Sequence, residues 1–252
     1  MSKIAFITGA SSGIGAACAR KFAEGGYTLL LNARSEDKLQ TLKTELETTY
    51  GTDVLLLPFD VRDRKAAAVA ITTLPERYQA IDVLVNNAGL ALGMDKEYAG
   101  VEADYDTMID TNITALLMIT RLVVPGMIAR GRGHIINIGS VAGDAAYPGG
   151  SVYCATKAAV KVLSDGLRMD LVDTPLRVTN VKPGLVETNF SVTRFGGDKE
   201  RADKVYQGIK PLTGEDIADV VYYAASAPEH VQIAEVLVLA THQASGSLVY
   251  RR

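Results

Sequence analysis

A single-domain α/β fold organised as a doubly wound parallel sheet is the class this sequence predicts, and three observations carry it. Short runs of β-branched residues and Leu recur along all 252 residues and alternate with helix-compatible segments. The runs are continuously apolar rather than alternating, as strands covered on both faces are. No linker, internal repeat or low-complexity stretch divides the chain, so one domain spans residues 1–252.

The elements follow in order. Residues 3–8 form the first strand, and Thr8-Gly-Ala-Ser-Ser-Gly-Ile-Gly15 turns it into a helix over 13–24. Strands at 28–32 and 54–58 each precede a helix, at 36–48 and 63–74. A fourth strand at 83–86 leads to a long helix over 104–129. The strand at 134–138 and helix at 152–172 come next, then a strand at 177–181, a helix at 215–225 and a last strand at 236–239. Two stretches break this rhythm. Residues 188–211 hold Gly196-Gly197, mixed charges and weak periodicity, and are expected to form a mobile insertion beside the ligand crevice of such a sheet. Residues 112–124 are apolar nearly all round, so one face can pack on the sheet while the rest is expected to meet another subunit or another helix of the same chain.

Composition narrows the function classes. A hydrophobic content of 48% with 22% charged residues is that of an ordinary soluble domain, and a net charge of −3 without any basic block argues against nucleic acid and anionic membranes as partners. Cys18 and Cys154 have no metal-ligand spacing, and with His134, His230 and His242 scattered, no metal site is expected. Met1-Ser-Lys runs straight into the apolar Ile4-Ala-Phe-Ile7, which predicts no secretory leader, and no uncharged apolar run reaches the ~18 residues a membrane span needs. A cytoplasmic location is the expectation.

The chemistry concentrates in a few motifs. Tyr153 and Lys157 stand four residues apart on a predicted helix, so both side chains leave one face. An ammonium held beside a phenol favours the phenolate, which suits acid–base work on an alcohol or carbonyl. After the first strand, the backbone of Gly9, Ser11, Ser12, Gly13, Ile14 and Gly15 can approach a pyrophosphate at a helix N-terminus, although the spacing is G-x-x-x-G-x-G. The second strand ends in Arg34 with no acid from Thr28 to Ser35, which calls for a ribose 2′-phosphate and hence NADP; the alternative is a solvated surface arginine. Asp60 and Val61 follow the third strand, where Asp60 could accept from an adenine amino group or serve as a turn or cap residue. Asn86-Asn87-Ala88-Gly89 follows the fourth. Ser140 fails as a hydrolase nucleophile, because Gly139-Ser-Val-Ala-Gly143 lacks the G-x-S-x-G spacing.

Taken in order, Thr8–Gly15, Asn86–Gly89, Asn112, Ser140, Tyr153 with Lys157, and Pro183-Gly-Leu-Val-Glu-Thr188 resemble the short-chain dehydrogenase/reductase family over essentially the whole chain. Val85–Met94 and Gly133–Ser140 are similar to the family's subgroup of NADP-dependent 3-hydroxy acid dehydrogenases, which act on serine, allo-threonine, 3-hydroxypropionate or malonic semialdehyde. The tail Leu239-Ala-Thr-His-Gln-Ala-Ser-Gly246 departs from the Val-Asp-Gly-Gly-like ending common in acyl-carrier-protein reductases of this Rossmann-like fold. The resemblance implies Tyr153 as general acid/base, Lys157 as the group that lowers its pKa and bonds the nicotinamide ribose, and Ser140 as the group that polarises the substrate oxygen. It implies Asn112 as holder of a relay water. Ser140 could instead cap the strand, and Asn112 could merely tie backbone together. The turn residues Pro183, Gly184, Val186 and Thr188 would wrap the nicotinamide, and the assembly would be a homotetramer. A small carboxylate substrate needs a cation near Tyr153: Arg194 is the candidate, with Gln243 and Tyr147 as further pocket residues. The expected reaction is hydride transfer between NADP(H) and a small 3-hydroxy acid. A reductase of broader carbonyl substrates and a non-catalytic NADP-binding regulator are the alternatives.

Overall fold

Strands β1 (Ile4–Ile7), β2 (Thr28–Ala33), β3 (Val54–Pro58), β4 (Ile81–Asn86), β5 (His134–Ile138), β6 (Arg177–Pro183) and β7 (Glu235–Val238) form one sheet in the order β3-β2-β1-β4-β5-β6-β7. All neighbouring pairs are parallel. This computed structural model describes residues 2–252. The helices are α1 (Gly13–Glu24), α2 (Glu36–Tyr50), α3 (Arg64–Thr72), α4 (Glu102–Ile109), α5 (Ala115–Arg130), α6 (Ser151–Asp170), α7 (Phe190–Arg194), α8 (Lys199–Lys204) and α9 (Gly214–Ser226).

Side chains alternate along each strand between two cores. Ala5, Ile7, Leu29, Leu31 and Val85 pack with Phe22, Leu39, Leu46, Ile217 and Val221 from α1, α2 and α9. Ile4, Phe6, Leu30, Leu84 and Ile135 pack on the opposite side with Ala67, Ile71, Ile119, Val123 and Met127 from α3 and α5. Each such burial contributes about 1.5–3 kcal/mol for a large aliphatic or aromatic side chain. That demand on both faces is why the strands read as unbroken apolar runs.

Local signals place the helix ends. Asp63 caps α3 by accepting from the backbone of Lys65 and Ala66, and Thr213 with Asp216 forms a reciprocal capping box at α9. Gly51 and Gly131 end α2 and α5 in the left-handed conformation, at φ 65° and 63°. Between α4 and α5 the chain makes a π turn over Asp110–Thr114, so that Glu102–Arg130 is one helical stretch of 29 residues. Its length and apolarity would suit a membrane span, but the Ile119, Val123 and Met127 row lies in the core.

Buried amides tie these helices to the sheet. Asn86 donates to Asn137 at 2.9 Å and to Thr120 of α5 at 3.0 Å, and Asn137 donates to Ser164 of α6 at 2.9 Å. The chain runs outward from β1 to β3, then returns to β4 on the other side of β1, so the loops after β1 and β4 part and open a crevice at the carboxyl ends of the strands.

The segment expected as an insertion after the sixth strand holds two short helices, α7 and α8. Its base is closed by Val186 and Leu212, where Leu212 donates to the Leu185 carbonyl and Glu187 to that of Leu212. Gly196 and Gly197, at φ 61° and 97°, make the turn between the two helices, and Asp198 caps α8. Helices of five and six residues are too short to register as a period in sequence.

Candidate active site

A cavity of about 510 Å3 runs across the carboxyl ends of β1 to β6. Its floor is the turn after β1. Gly9 and Gly13 adopt φ of 66° and 54°, and a Cβ on Gly15 would run into the Gly9 carbonyl oxygen and the Asn87 side chain. Asn87 donates through Nδ2 to the carbonyls of Thr8 at 2.9 Å and Gly9 at 3.2 Å, while the Thr8 hydroxyl accepts from the backbone of Asn87 and Ala88. The two turns are thereby stitched together. At the head of α1, Ser12 makes no side-chain cap bond, so the first N–H groups of the helix are open towards the cavity wall formed by Ser11, Ser12, Gly13 and Ile14.

At one end of the cavity Arg34 stands exposed after β2, and no described carboxylate pairs with it. Asp60 is held by Arg62, whose Nη2 lies 2.7 Å away and whose backbone N–H also donates to the carboxylate. That guanidinium holds the Asp60 carboxyl below its usual range. The cap of α3 is Asp63, not Asp60, which leaves Asp60 and Val61 on the cavity rim. Arg62, which sequence reasoning missed, adds a second guanidinium there.

Tyr153 and Lys157 meet at the other end, both buried on one face of α6. No hydrogen bond joins their side chains among the described residues. Lys157 donates through Nζ to the Ile138 carbonyl at 2.8 Å and lies 5.9 Å from the centre of the Tyr153 ring. Burial dominates instead: it pushes the Tyr153 phenol above its ordinary value, with a hydrogen bond from Ser140 pulling the other way. Burial also brings the Lys157 amine down to about 8.

Ser140 both caps and faces the site. Its Oγ accepts from the Ala142 N–H at 3.1 Å, which leaves its own proton to be shared between the Tyr153 oxygen and another acceptor in the cavity. Asn112 sits in the π turn, accepts from the Leu90 N–H, and donates to the Leu90 carbonyl and to Thr156 of α6. Its side chain is therefore fully engaged, tying the Leu90 backbone to the Thr156 hydroxyl, and Gly89 packs against it and Lys157. Pro183 at the end of β6 and Gly184, Val186 and Thr188 beyond it all line the cavity, with the Thr188 side chain against Gly13.

Arg194 of α7 crosses to the opposite wall. Nε donates to the Gly93 carbonyl at 3.1 Å and Nη1 to the Tyr147 hydroxyl at 2.8 Å, while Nη2 is buried without a partner. The guanidinium carbon lies 5.4 Å from the ring centre of Tyr147 and 5.8 Å from that of Tyr153. Of the two terminal nitrogens that could meet a carboxylate, Nη1 is therefore shared with Tyr147. Tyr147 in turn accepts from Arg194 and keeps its O–H for another acceptor. Gln243 lines the cavity but is committed elsewhere: Oε1 accepts from Leu185 N–H and Nε2 donates to the Ser245 carbonyl. It fastens the tail to the turn after β6. Phe190, packed 5.6 Å from Tyr153, and Phe195 and Tyr206, which no motif or period announced, complete an apolar wall with Met94.

A parallel α/β sheet with a glycine cradle at its switch point, opening onto a buried Tyr, Lys and Ser, defines a dinucleotide-binding oxidoreductase site. The chain belongs to the short chain dehydrogenase family, whose model matches residues 3–198. It is 46% identical over 251 residues to an NADP-dependent 3-hydroxy acid dehydrogenase of Schizosaccharomyces pombe, covering 99% of this chain and 97% of that protein. It is 45% identical to sulfoacetaldehyde reductase 2 of Chromohalobacter salexigens over 245 residues, 97% of this chain and 96% of that one. Among solved structures, the closed form of serine dehydrogenase complexed with NADP+ superposes with a TM-score of 0.92 at 43% identity, covering 99% of both chains.

Proposed function

We propose that this chain is an NADP-dependent oxidoreductase that interconverts a small 3-hydroxy acid and its 3-oxo acid or semialdehyde. The observation that carries the substrate class is the buried, unpartnered Nη2 of Arg194 beside the free O–H of Tyr147, next to Tyr153 and Ser140. Two donors of which one is cationic suit an anionic oxygen pair, and a buried guanidinium nitrogen without a partner is costly until one arrives. The names of the relatives, which act on 3-hydroxy acids or sulfoacetaldehyde, agree with that reading.

The cradle fits NADP by three features: the left-handed glycines, the open α1 terminus and the unpaired Arg34. Bound there, the cofactor supplies or accepts the hydride. The chain's own residues do the rest. Ser140 donates a hydrogen bond to the substrate oxygen beside Tyr153 and polarises it. Tyr153, kept protonated by burial, transfers its phenolic proton to that oxygen during reduction and takes one back during oxidation. Lys157, with a pKa brought down to about 8, can exchange a proton with solvent near neutral pH. Asn112, whose side chain is committed to Leu90 and Thr156, would hold the water of that route through its backbone.

Two variants test this. Arg194→Gln should raise KM for 3-hydroxypropionate by about 10- to 100-fold, the worth of one charged hydrogen bond, with a much smaller change in kcat. Equal loss on a neutral ketone would show that Arg194 only shapes the pocket and would favour the broad carbonyl reductase. Arg34→Ala should lower the ratio of kcat/KM for NADP+ over NAD+ by about tenfold or more; an unchanged ratio would remove Arg34 from the cofactor site.

A homotetramer and a cytoplasmic location belong to the same proposal. Leu117 on α5 and Val162 and Met169 on α6 are exposed apolar residues at 46%, 67% and 73%, the kind of face that a subunit contact covers. Light scattering on the purified protein reads the assembly directly, and a monomeric mass would refute it.

A further inference from the structure

The turn that carries Ser140 leaves the sheet at Gly139 and has no backbone anchor to it afterwards. Gly139 donates to the Val181 carbonyl, and then Gly143 and Asp144 donate back to Ser140 and Val141 inside the turn. Among the described residues, no backbone hydrogen bond joins 141–149 to a strand, and residues 144–146 are exposed. A side chain ties the far end down instead. Lys182 of β6 donates through Nζ to both oxygens of Asp144, at 2.8 and 3.1 Å, and pairs with Glu235 of β7 at 2.7 Å. Its three N–H donors thus face three carboxylate oxygens. The second oxygen of Glu235 accepts from Asn180 at 3.2 Å, so that carboxylate is itself fixed to β6.

The same lysine touches the near end of the turn. Its stem runs past Gly139, where an added Cβ would meet Lys182 Cγ at 3.3 Å and the Asn180 amide oxygen. On the opposite side, a Cβ on Gly143 would lie 2.7 Å from the Lys157 carbonyl oxygen. One side chain therefore braces residues 139–144 at both ends, with the backbone of α6 closing the other side. Lys182 is buried, and neither it nor Asp144 lines the cavity. Any effect of the pair on the reaction passes through the turn.

We infer that Lys182 is a positioning residue for the reaction: bridging Asp144 and Glu235, it holds the Ser140 turn against β6 so that the Ser140 hydroxyl meets the substrate oxygen beside Tyr153. This role rests on the one given to Ser140 above and goes beyond it by naming what keeps that hydroxyl in place. A hydrogen bond that strengthens in the transition state is weakened by a displacement of about 1 Å, which can cost about 100-fold in rate from a residue that touches neither substrate nor cofactor.

Two variants test it, assayed with NADP+ on whichever of 3-hydroxypropionate and L-serine the wild type turns over faster. Lys182→Met keeps the stem and removes the ammonium, while Asp144→Asn leaves the Lys182–Glu235 pair in place. The first should lower kcat by about 10- to 100-fold and the second by about three- to tenfold, with both KM values within about twofold of wild type. Each change is then repeated in Ser140→Ala, where it should lower kcat by less than about a further twofold, because the hydroxyl it serves is gone. A kcat within about twofold of wild type in the folded variants overturns the inference, as does a full second loss on top of Ser140→Ala. Where circular dichroism shows that Lys182→Met does not fold, Asp144→Asn decides by the same comparison. A large loss in Ser140→Ala with none in the Lys182 and Asp144 variants overturns the inference alone. Wild-type kcat in Ser140→Ala would overturn the role of Ser140 with it.

Discussion

Tyr153→Phe should lower kcat by about 10²- to 10⁴-fold, the range ascribed to a positioned general acid or base, while NADPH binding measured by fluorescence stays unchanged. The side chain is buried against Phe190 and Cys154, so a phenylalanine ring fills the same space and only the proton is lost. No other described side chain is placed to take over: the Ser140 hydroxyl can donate a hydrogen bond but is too weak an acid to give up its proton, and Lys157 is turned to the Ile138 carbonyl. The pH profile gives a further reading. Burial keeps the phenol protonated, so the wild-type enzyme is poised for reduction, and its oxidation rate should climb with pH. In the Phe variant that climb should vanish. Turnover within a few-fold of wild type would refute the assignment.

Lys157→Met should do two opposite things: abolish most of the activity and raise the melting temperature of the apoprotein. The amine is buried with a carbonyl as its partner and no carboxylate nearby, and its pKa falls from 10.5 to about 8. That difference corresponds to about 3 kcal/mol of destabilisation, reduced to about 2 once the lost hydrogen bond is counted. For a chain of this size the gain in melting temperature is several degrees, at about 2–4 °C per kcal/mol. The sign with pH is fixed by the direction of the shift. Between about 8 and 10.5 the unfolded chain holds a proton that the folded chain has released, so wild-type stability rises through that window. The variant should lack the rise, and its advantage should be full below pH 8 and gone above 10.5. Calorimetry of both proteins across that range checks it. A variant less stable than wild type at neutral pH would mean that the amine is solvated or paired in solution.

Much of this molecule is legible before any coordinates. The strands at 54–58 and 134–138 coincide with β3 and β5, because burial on both faces leaves no choice but an unbroken apolar run. The cradle was equally legible, since Gly9, Gly13 and Gly15 answer to backbone conformation and close approach, which other residues cannot meet. What escaped has a common cause. An i,i+4 spacing puts Tyr153 and Lys157 on one face, but it does not say where a four-carbon side chain ends, and Nζ ends on Ile138. Arg62 and the Phe190, Phe195 and Tyr206 wall depend on how loops distant in sequence fold together, and α7 and α8 exist by tertiary contact rather than by period. Gln243 carries no sequence sign that its amide is spent on backbone.

The π turn at Asp110–Thr114 has a consequence for the length of this helix. A π turn holds one residue more than an α turn, which rotates everything beyond it by about 100° relative to a straight continuation. Met108, before the turn, packs with Tyr153 and Cys154, whereas Ala115, Ile119 and Val123, after it, pack on the sheet. The extra residue is what lets one rod present two faces that are out of phase. Substitutions along 102–130 should accordingly be borne far better than a single insertion or deletion, which would swing one face out of register and take Asn112 with it.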